Sequence, residues 1–495
     1  MEVLDIRVVL APGISLLCAL LVFVLGRHDG WRATFTLGAA LIKLVLILTL
    51  LPGSLEGVVY VYRAFDFPPG IGIAFRVDGL GMFFALVSST LWVLTTVYAI
   101  GYMRDQHDRV RFFGFFALCV STTVGIAFAA NLLTLLLFYE LLTICTYPLV
   151  IHDETPAALK AGRKYLAYTL AGGALILLGT VLVQHLAGSL AFGTGGLLAG
   201  AAGRPLLPLA FVALVAGFGV KACLMPLHGW LPTAMVAPTP VSALLHAVAV
   251  VKAGVFGLLR VIYDVFGVEL LAGLGYTSWL AALAAFTILA ASFAALAQVN
   301  FKRRLAWSTI SQLSYIVLGA ALLTPFAALA AIVHIANQAF AKITMFFVAG
   351  AVERATGRTE LRELAGLGHV MPWTMAAFTI AALSFVGVPL FAGFVTKWYL
   401  SLGGLQAGAW WVVLLMLASA LLNAAYWLPV VYRAWFRPPR GLAPGVREAP
   451  LLLLAPALVS AAYVLLLGVS TRVPGMPFSL AEAAVRFVTG IGAAP

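Results

Sequence analysis

Charged side chains are scarce in this sequence. They make up 10% of its 495 residues, against 63% hydrophobic residues, whereas charged residues form about a quarter of an ordinary soluble protein. The apolar residues come in blocks of about twenty, the length that a helix needs to cross a bilayer. This composition excludes a soluble protein and predicts an all-α polytopic membrane protein. Transmembrane β-barrels are excluded as well, because their strands alternate apolar and polar residues.

Cysteine is also rare, and other signs of redox chemistry are missing. The four cysteines lie far apart inside apolar segments and form no CxxC motif, so a disulfide framework, a zinc site or an iron–sulfur cluster is not expected. The sequence has no dinucleotide-binding βαβ unit and no evident pairs of membrane histidines that would hold haem. We predict that the chain binds no cofactor and no metal, and that it performs no redox chemistry itself.

The apolar blocks predict fourteen membrane spans. The first 25 residues have an acidic start and no small-residue cleavage site, so we interpret them as the first membrane helix and not as a cleaved signal peptide. The predicted spans are 6–25, 33–51, 78–101, 112–129, 131–150, 166–187, 207–227, 240–263, 276–297, 304–323, 326–350, 373–400, 409–432 and 448–468.

The basic residues of the loops predict the orientation in the membrane. One side, with both termini, holds 7 of them, and the other side holds 18. The smaller set consists of Arg7, Arg63, Arg76, Arg204, Arg260, Arg472 and Arg486. By the positive-inside rule the richer side is cytoplasmic, so that both termini lie outside a cytoplasmic (inner) membrane. Orientation therefore explains the formal net charge of +12, and no nucleic-acid partner is expected.

The remaining five basic residues lie inside predicted spans, and all are lysines, although the chain has 22 arginines and only eight lysines. They are Lys43, Lys221, Lys252, Lys342 and Lys397. Arginine is effectively always charged, whereas the pKa of a buried lysine can fall far enough for it to lose and regain a proton. Lysine in the interior therefore predicts protonation chemistry. Lys43 is the outlier, and its interpretation stays open between function, snorkelling and pairing with a loop acid.

Glu140 is the one acidic residue that the sequence places well inside a span. An unpaired carboxylate at membrane depth is costly, so Glu140 must be protonated or paired with a buried cation. A structural ion pair between two helices is one interpretation. We favour the other, a carboxylate that carries or couples protons, because several titratable lysines are available as partners.

Two predicted helices are interrupted by proline close to a buried lysine. Lys221 lies five residues before Pro226, and about 165 residues later Lys397 follows Pro389. Broken helices at membrane depth are tolerated where they line protein or a water-filled cavity, and in transporters such breaks mark ion sites. The pair of breaks favours a transporter built from two repeats.

Two further helices carry polar residues along one face. His334, Gln338 and Lys342 fall at i, i+4 and i+8 of an otherwise apolar helix. A lone buried histidine is usually a hydrogen-bonded core residue, but a polar stripe that ends in lysine favours proton transfer, for which histidine suits because its pKa lies near neutrality. His246 lies on another helix, and Lys252, six residues later, should point about 120° away from it.

Six stretches, taken in order, resemble the antiporter-like membrane subunits that respiratory complex I shares with Mrp-type cation/proton antiporters. They are Phe138-Tyr-Glu-Leu-Leu-Thr, Lys221-Ala-Cys-Leu-Met-Pro-Leu-His-Gly-Trp-Leu-Pro, Ala237-Pro-Thr-Pro-Val-Ser-Ala-Leu-Leu-His-Ala, Val251-Lys-Ala-Gly, His334-Ile-Ala-Asn-Gln-Ala-Phe-Ala-Lys and Ala392-Gly-Phe-Val-Thr-Lys. They extend from about residue 112 to about residue 400. The stretch from Lys221 to Gly254 is the most specific.

The resemblance implies a fold of fourteen helices with two inverted five-helix repeats and two broken helices. For this chain it implies an N-terminal three-helix segment over residues 1–111 and a first repeat over 112–263. A second repeat follows over 276–432, and a C-terminal helix and tail over 433–495. The proton pathway that the resemblance implies consists of Glu140, Lys221, Lys252, Lys342 and Lys397, with His246 and His334 beside it.

Two positions depart from the family pattern. Gln338 stands where members often carry a second histidine, and Lys397 stands where one complex I paralogue carries a glutamate. The chain also ends soon after the last predicted span, whereas the largest paralogue and its Mrp counterpart continue into further helices. The expected type is therefore the D-type Mrp protein or a close relative in complex I or a membrane-bound hydrogenase.

The leading functional prediction is a proton-translocating subunit that works with other membrane subunits in one complex, with sodium exchange left open. A redox enzyme in its own right is disfavoured, and any dehydrogenase activity would belong to the assembled complex. A stand-alone transporter of an organic solute has no specific feature for or against it apart from the family resemblance.

Overall fold

The computed structural model describes residues 2–66, 72–439, 445–471, 473 and 475–489. The loop residues Arg440 and Arg472 and the last six residues of the predicted tail lie outside this part of the chain. The described residues form a bundle of α-helices with one small β-sheet.

The helices of the N-terminal half follow the predicted spans closely. They are α1 (Arg7–Leu25), α2 (Asp29–Leu55), α3 (Gly79–Tyr102), α4 (Arg109–Ala127), α5 (Leu132–Val150), α6 (Pro156–Ala187), α7 (Leu207–Ala222), α8 (Thr239–Ala243), α9 (Val250–Arg260) and α10 (Val268–Leu274). The main difference is α6, which begins at Pro156 and not near residue 166. Thr155 caps it, since its side chain accepts a hydrogen bond from the Ala158 N–H, and proline is favoured at the first helical position.

The second half continues in the same way. Its helices are α11 (Thr277–Leu296), α12 (Phe301–Ala321), α13 (Pro325–Thr356), α14 (Leu367–Val370), α15 (Pro372–Val386), α16 (Ala392–Gln406), α17 (Trp411–Phe436), α18 (Leu451–Val469) and α19 (Pro477–Thr489). In the described part of the chain, 11 helices are long and apolar enough to cross a membrane. The prediction of a polytopic α-helical membrane protein is confirmed.

The sequence analysis did not predict a three-stranded sheet, nor the short helices α10, α14 and α19 outside the predicted spans. The sheet consists of β1 (Glu2–Leu4), β2 (Val59–Asp66) and β3 (Gly72–Val77), with β1 parallel to β2 and β2 antiparallel to β3. The strands are short: β1 precedes the first membrane helix, and β2 and β3 lie between α2 and α3. The long apolar blocks that dominate the sequence therefore conceal them. The Asn131 amide donates to the Gly72 carbonyl oxygen at 2.8 Å and fixes β3 to the start of α5.

The core of the bundle is formed by two buried helical segments. The continuous helical segment Thr239–Phe266 lies wholly inside, and α13 lies almost wholly inside. The segment Thr239–Phe266 is not a regular α-helix, since Leu244–Val248 and Val261–Phe266 are π-helical. By contrast, α1 and α2 lie at the periphery, and most of their residues are at least partly exposed.

Two helices stop where the sequence predicted an interruption. α7 ends at Ala222, and Cys223 follows in the left-handed conformation with φ 59°. α15 ends at Val386, Gly387 has φ 91°, and α16 begins at Ala392. A residue before proline is disfavoured in the α conformation, which stops the first helix ahead of Pro226.

Candidate functional site

Lys221 and the residues around Glu140 meet between α7 and α5. Lys221 is fully buried, and its Nζ donates to the carbonyl oxygen of Tyr139 at 2.6 Å while lying 3.5 Å from the centre of the Tyr139 ring. Glu140 is partly exposed, its Oε1 is buried without a hydrogen-bond partner, and it packs on Gly173 of α6. The two charges lie close enough to interact. The Lys221 ammonium and the Glu140 carboxylate oxygens nevertheless lie more than 4.0 Å apart, so these two residues form no direct ion pair.

Glycine allows the helices around Lys221 to approach closely. A Cβ atom on Gly254 of α9 would clash with the backbone of Lys221 and Ala222. After the end of α7 the chain folds back, and the indole of Trp230 donates to the Val220 carbonyl oxygen at 2.8 Å. The free end of α7 is thus held in the core next to α9.

His246 lies inside the π-helical turn Leu244–Val248, and Lys252 lies just beyond the end of this turn, in α9. Both are buried, and neither the Lys252 ammonium nor the two ring nitrogens of His246 have a hydrogen-bond partner among the described residues. His246 packs on Phe346 of α13, with ring centres 4.9 Å apart. The predicted angle of about 120° between His246 and Lys252 assumed a regular α-helix. The π turn widens the helix between them, so that assumption does not hold.

The polar stripe of α13 is buried along its whole length. His334 Nδ1 lies 3.0 Å from Thr396 Oγ1, and Lys342 Nζ donates to Ser308 Oγ at 2.5 Å. Both amide atoms of Gln338 lack a partner among the described residues. The charge of Lys252 lies close enough to interact with both Lys342 and His334. α13 therefore brings its stripe next to α9.

Lys397 lies at the second helix interruption. Its Nζ donates to the last carbonyl oxygens of α15, those of Phe385 at 2.9 Å and Val386 at 2.6 Å. These carbonyls end a helix, where the backbone dipole favours a positive charge. Thr396, the residue before Lys397, accepts the hydrogen bond of Asn337 at 3.0 Å and contacts His334. The His334 end of the stripe of α13 thus contacts the residue that directly precedes Lys397.

Lys43 lies apart from this group. It is fully buried, its Nζ has no hydrogen-bond partner among the described residues, and it lies 3.6 Å from the centre of the Trp92 ring. A cation over the face of an indole is the strongest cation–π arrangement. This contact is neither snorkelling nor a pair with a loop acid, which were two of the three interpretations from the sequence.

The sequence analysis missed a buried charge cluster. Arg260 forms a two-pronged pair with Asp78, at 2.7 and 2.8 Å, and a third bond to Asp264 at 2.9 Å. All three are at most 2% exposed. Arg260 is therefore not a loop residue, and Glu140 is not the only acid inside a helical span, since Asp264 lies within Thr239–Phe266. The spacing of Arg260 and Asp264, four residues apart on one helix face, was a signal that could have revealed the pair.

Other residues that position the site were also missed. They are hydroxyl and amide side chains without charge, which apolar-block analysis does not single out. Ser308 binds Lys342 and Thr396 binds His334. Asn337 donates to Thr396 and so holds it in place.

The sequence matches two protein-family descriptions. Residues 129–423 match "NADH:quinone oxidoreductase/Mrp antiporter, TM". Residues 69–113 match "NADH-Ubiquinone oxidoreductase (complex I), chain 5 N-terminus". The first match includes every residue of the predicted pathway.

Several curated proteins are similar over most of this chain. NADH-quinone oxidoreductase subunit N of Desulforudis audaxviator is 34% identical over 412 residues, 81% of each chain. The probable A/B component of a K(+)/H(+) antiporter of Rhizobium meliloti is 34% identical over 76% of this chain and 37% of its own length. The A1 component of a Na(+)/H(+) antiporter of Staphylococcus aureus is 31% identical over 80% of this chain and 51% of its own length. The chain thus spans about a third to a half of the two antiporter relatives.

Two solved structures share the fold. A chain of the Mrp complex from Dietzia sp. DQ12-45-1b superimposes with a TM-score of 0.87 at 21% identity, over 97% of both chains. A chain of the membrane-bound sulfane sulfur reductase, an archaeal respiratory membrane complex, superimposes with a TM-score of 0.86 at 26% identity, over 97% of both chains.

Proposed function

The chain belongs to the NADH:quinone oxidoreductase/Mrp antiporter family, and on that premise we propose that it is a proton-translocating membrane subunit of a multi-subunit complex. Relatives named as subunits of a quinone oxidoreductase and of cation/proton antiporters support this function. The observation that carries it is the group of buried lysines that have no carboxylate partner within 4.0 Å in the described part of the chain.

The first proposed step exchanges the hydrogen-bond acceptor of Lys221. Its ammonium donates to the Tyr139 carbonyl oxygen, on the residue directly before Glu140. A change of side-chain torsions would move it from this neutral acceptor to the Glu140 carboxylate, whose Oε1 has no partner among the described residues. Both acceptors stabilise the charged lysine, but the neutral carbonyl does so less than the carboxylate, so Lys221 releases its proton more easily when it binds the carbonyl. Alternation between the two acceptors would therefore load and unload Lys221.

The second proposed step uses repulsion between Lys252 and Lys342. Their charges are close enough to interact, and both side chains are buried. Two like charges in a poorly solvated site repel strongly, so a proton that arrives on one lysine promotes release from the other. His246, whose ring contacts α13 through Phe346, lies beside this pair.

The last proposed step leads to Lys397 through His334. The hydrogen bond between His334 and Thr396 ends on the neighbour of Lys397. Gln338 and His334 Nε2 have no partners among the described residues. Buried polar groups in proteins bind either protein or ordered water. We propose that water joins these atoms in a line that runs from Glu140 to Lys397.

The proton is the ion that this side-chain set suits. Hard cations such as sodium require several oxygen ligands, whereas the pathway consists of lysines, histidines and the single carboxylate of Glu140. Exchange of sodium for protons, the activity in the name of a relative, is the alternative coupling. A complex I type oxidoreductase or a membrane-bound hydrogenase is the alternative setting for the same proton pathway.

We further propose that the bundle has fourteen spans with two inverted five-helix repeats. Counting α7, α12 and the pair α15–α16 as one span each, together with the 11 long helices, gives fourteen. The first repeat, 112–263, would contain α4 to α9, and the second, 276–432, would contain α11 to α17. In both, the fourth helix is the interrupted one, α7 or α15–α16. This matched position supports the repeat.

We also propose the setting of the chain in the cell. The distribution of basic loop residues supports a cytoplasmic (inner) membrane with both termini outside. The absence of a glutamate at 397 and the overlap with an Mrp complex chain support the D-type Mrp protein. Its partners would be other membrane subunits of that complex.

The test is proton transport by the complex purified with its native subunits and reconstituted in vesicles. Glu140→Ala and Lys221→Ala should each abolish proton-coupled activity while the complex still assembles. Lys160→Ala, which removes an exposed lysine of α6, is the matched control and should transport normally. Wild-type transport by either of the first two variants would remove the pair from the mechanism.

A further inference from the structure

A second group of histidine and acidic side chains lies outside the proposed pathway, on two neighbouring loops. His107 lies between α3 and α4, and His152 and Asp153 follow the end of α5. A metal-ligating atom from each of the three side chains lies within 4.8 Å of the other two. The two imidazole rings stack with centres 4.7 Å apart. Two separate loops are thus brought together by side chains that bind metals.

His152 points to a ligand. It is 1% exposed, and neither of its ring nitrogens has a hydrogen-bond partner among the described residues. A buried polar group without a partner is costly, so these nitrogens need one. Unprotonated imidazole nitrogens are the commonest metal ligands in proteins.

The surrounding charges favour a cation. Asp108 and Asp153 lie near His152. Arg111, which donates to the His152 carbonyl oxygen at 2.8 Å, is already paired with Glu154 and with Asp108. The site also lies at the C-terminal end of α5, where the helix dipole favours positive charge. Three carboxylates and a single guanidinium thus lie in this loop region.

We propose that His107, His152 and Asp153 form a binding site for a divalent transition-metal ion of the Zn²⁺ class. Two imidazole nitrogens and one carboxylate are a common zinc ligand set, with the fourth position open to water. This departs from the expectation from sequence that the chain binds no metal, since the two histidines lie 45 residues apart and only the fold brings them together.

The geometry requires only a modest adjustment. Ligand atoms of a tetrahedral zinc lie roughly 3.3 Å apart, given bonds of about 2.0 Å. The three ligand atoms lie within 4.8 Å of one another, so they must approach by at most about 1.5 Å. His107 and Asp153 are exposed and can turn, whereas His152 is held in place by its burial. His107 Nε2 contacts the His152 carbonyl oxygen at 3.1 Å, which leaves Nδ1 for the ion. A bound ion would tie the loop before α4 to the end of α5, the helix that carries Glu140.

The test measures metal content of the purified native complex after incubation with ZnCl₂ and removal of the excess. His107→Ala and Asp153→Asn change exposed side chains, and the complex is expected to assemble normally in both cases. Each should bind one zinc ion fewer per copy of this chain than the wild type. His185→Ala, an exposed histidine in the last turn of α6, is the control and should bind as much zinc as the wild type.

Two results would overturn the proposal. One is an unchanged zinc content in His107→Ala and His152→Ala alike, which would mean that water is the partner of His152. The other is an equal loss in His185→Ala, which would indicate unspecific surface binding. As an independent readout, Co²⁺ should give the wild-type complex a tetrahedral visible spectrum that His107→Ala lacks.

Discussion

At the scale of single residues, the buried lysines differ from the buried Arg260 in their partners. Lys342 donates to a neutral hydroxyl, that of Ser308, whereas Arg260 binds the carboxylates of Asp78 and Asp264. A lysine on a neutral acceptor can release its proton, while an arginine between two carboxylates stays charged. The residue type and its partners thus separate the proton pathway from the structural charge cluster.

Lys397→Arg tests whether proton release is needed at the end of the pathway. Arginine keeps the positive charge that the final carbonyls of α15 bind, so the complex should fold and assemble. It does not release a proton, so transport should fall nearly as far as in Lys397→Ala. The measurement is proton uptake by reconstituted vesicles with equal amounts of assembled complex. Wild-type uptake by the arginine variant would assign Lys397 a fixed charge and move proton exit elsewhere.

Arg260→Met tests the charge cluster as a structural element. Removing one partner of a buried ion pair leaves uncompensated charge, at a cost of about 3–5 kcal/mol, here borne by Asp78 and Asp264. The complex should therefore unfold at a clearly lower temperature. Arg354→Met, which breaks an exposed pair with Asp105, should change stability by about 0–1 kcal/mol. Equal melting temperatures for the two variants would contradict the structural role.

The sequence could single out the charged residues of the site but not their contacts. Lysines, one glutamate and histidines inside apolar blocks are conspicuous because charge at membrane depth is rare. Whether Lys221 contacts the Glu140 side chain or the carbonyl before it depends on helix rotation and packing, which composition does not determine. Neutral partners such as Thr396 and Ser308 resemble the many other hydroxyl residues of the chain, so nothing in the sequence distinguished them.

At the scale of secondary-structure elements, long apolar helices were predictable and local irregularities were not. The bounds of α1 and α5 differ from the predicted spans by a single residue at most. The π turn at Leu244–Val248 left no trace in the apolar pattern, because every residue in it is buried. Strand β2 was missed because its alternating Val59-Tyr-Val-Tyr motif is short and follows a long apolar helix.

Gly173→Ala tests the packing of α6 on α5. A Cβ at this position would collide with the Glu140 carboxyl group, which is the end of a flexible side chain and can move aside. We expect normal assembly, with transport reduced because the carboxylate is displaced from Lys221. Gly38→Ala in α2, where a Cβ meets nothing within 4 Å, is the control for an added methyl group.

Unreduced transport by Gly173→Ala would show that the exact position of Glu140 in the resting structure does not matter. Failure to assemble would be a packing effect, which the larger Gly173→Ser and Gly173→Leu changes should then aggravate in that order.

At the scale of the whole molecule, the proposed pathway crosses the bundle through its most buried parts. It starts at α5 and α7, passes between Thr239–Phe266 and α13, and ends at the break between α15 and α16. The peripheral helices α1 and α2 expose long apolar side chains. Lipid or other subunits of the complex therefore cover them, while the polar residues stay inside.

The bundle as a whole was predictable because span length and hydrophobicity are set by the thickness of the membrane. The proposed line through the distant lysines rests on the family resemblance and not on any spacing in the sequence. The metal-ligating group of His107 and His152 was not foreseen at all, because its members lie on loops that only tertiary packing brings together.

The most direct test of the central claim is proton transport by the reconstituted complex carrying Lys342→Met. Methionine keeps the apolar stem of a fully buried side chain but cannot carry a proton. Against Lys160→Met, an exposed control on α6, and at matched amounts of assembled complex, transport should fall at least about ten-fold, as expected for loss of an acid–base group. Transport at the control rate would show that protons do not pass through Lys342 and would contradict the proposed pathway.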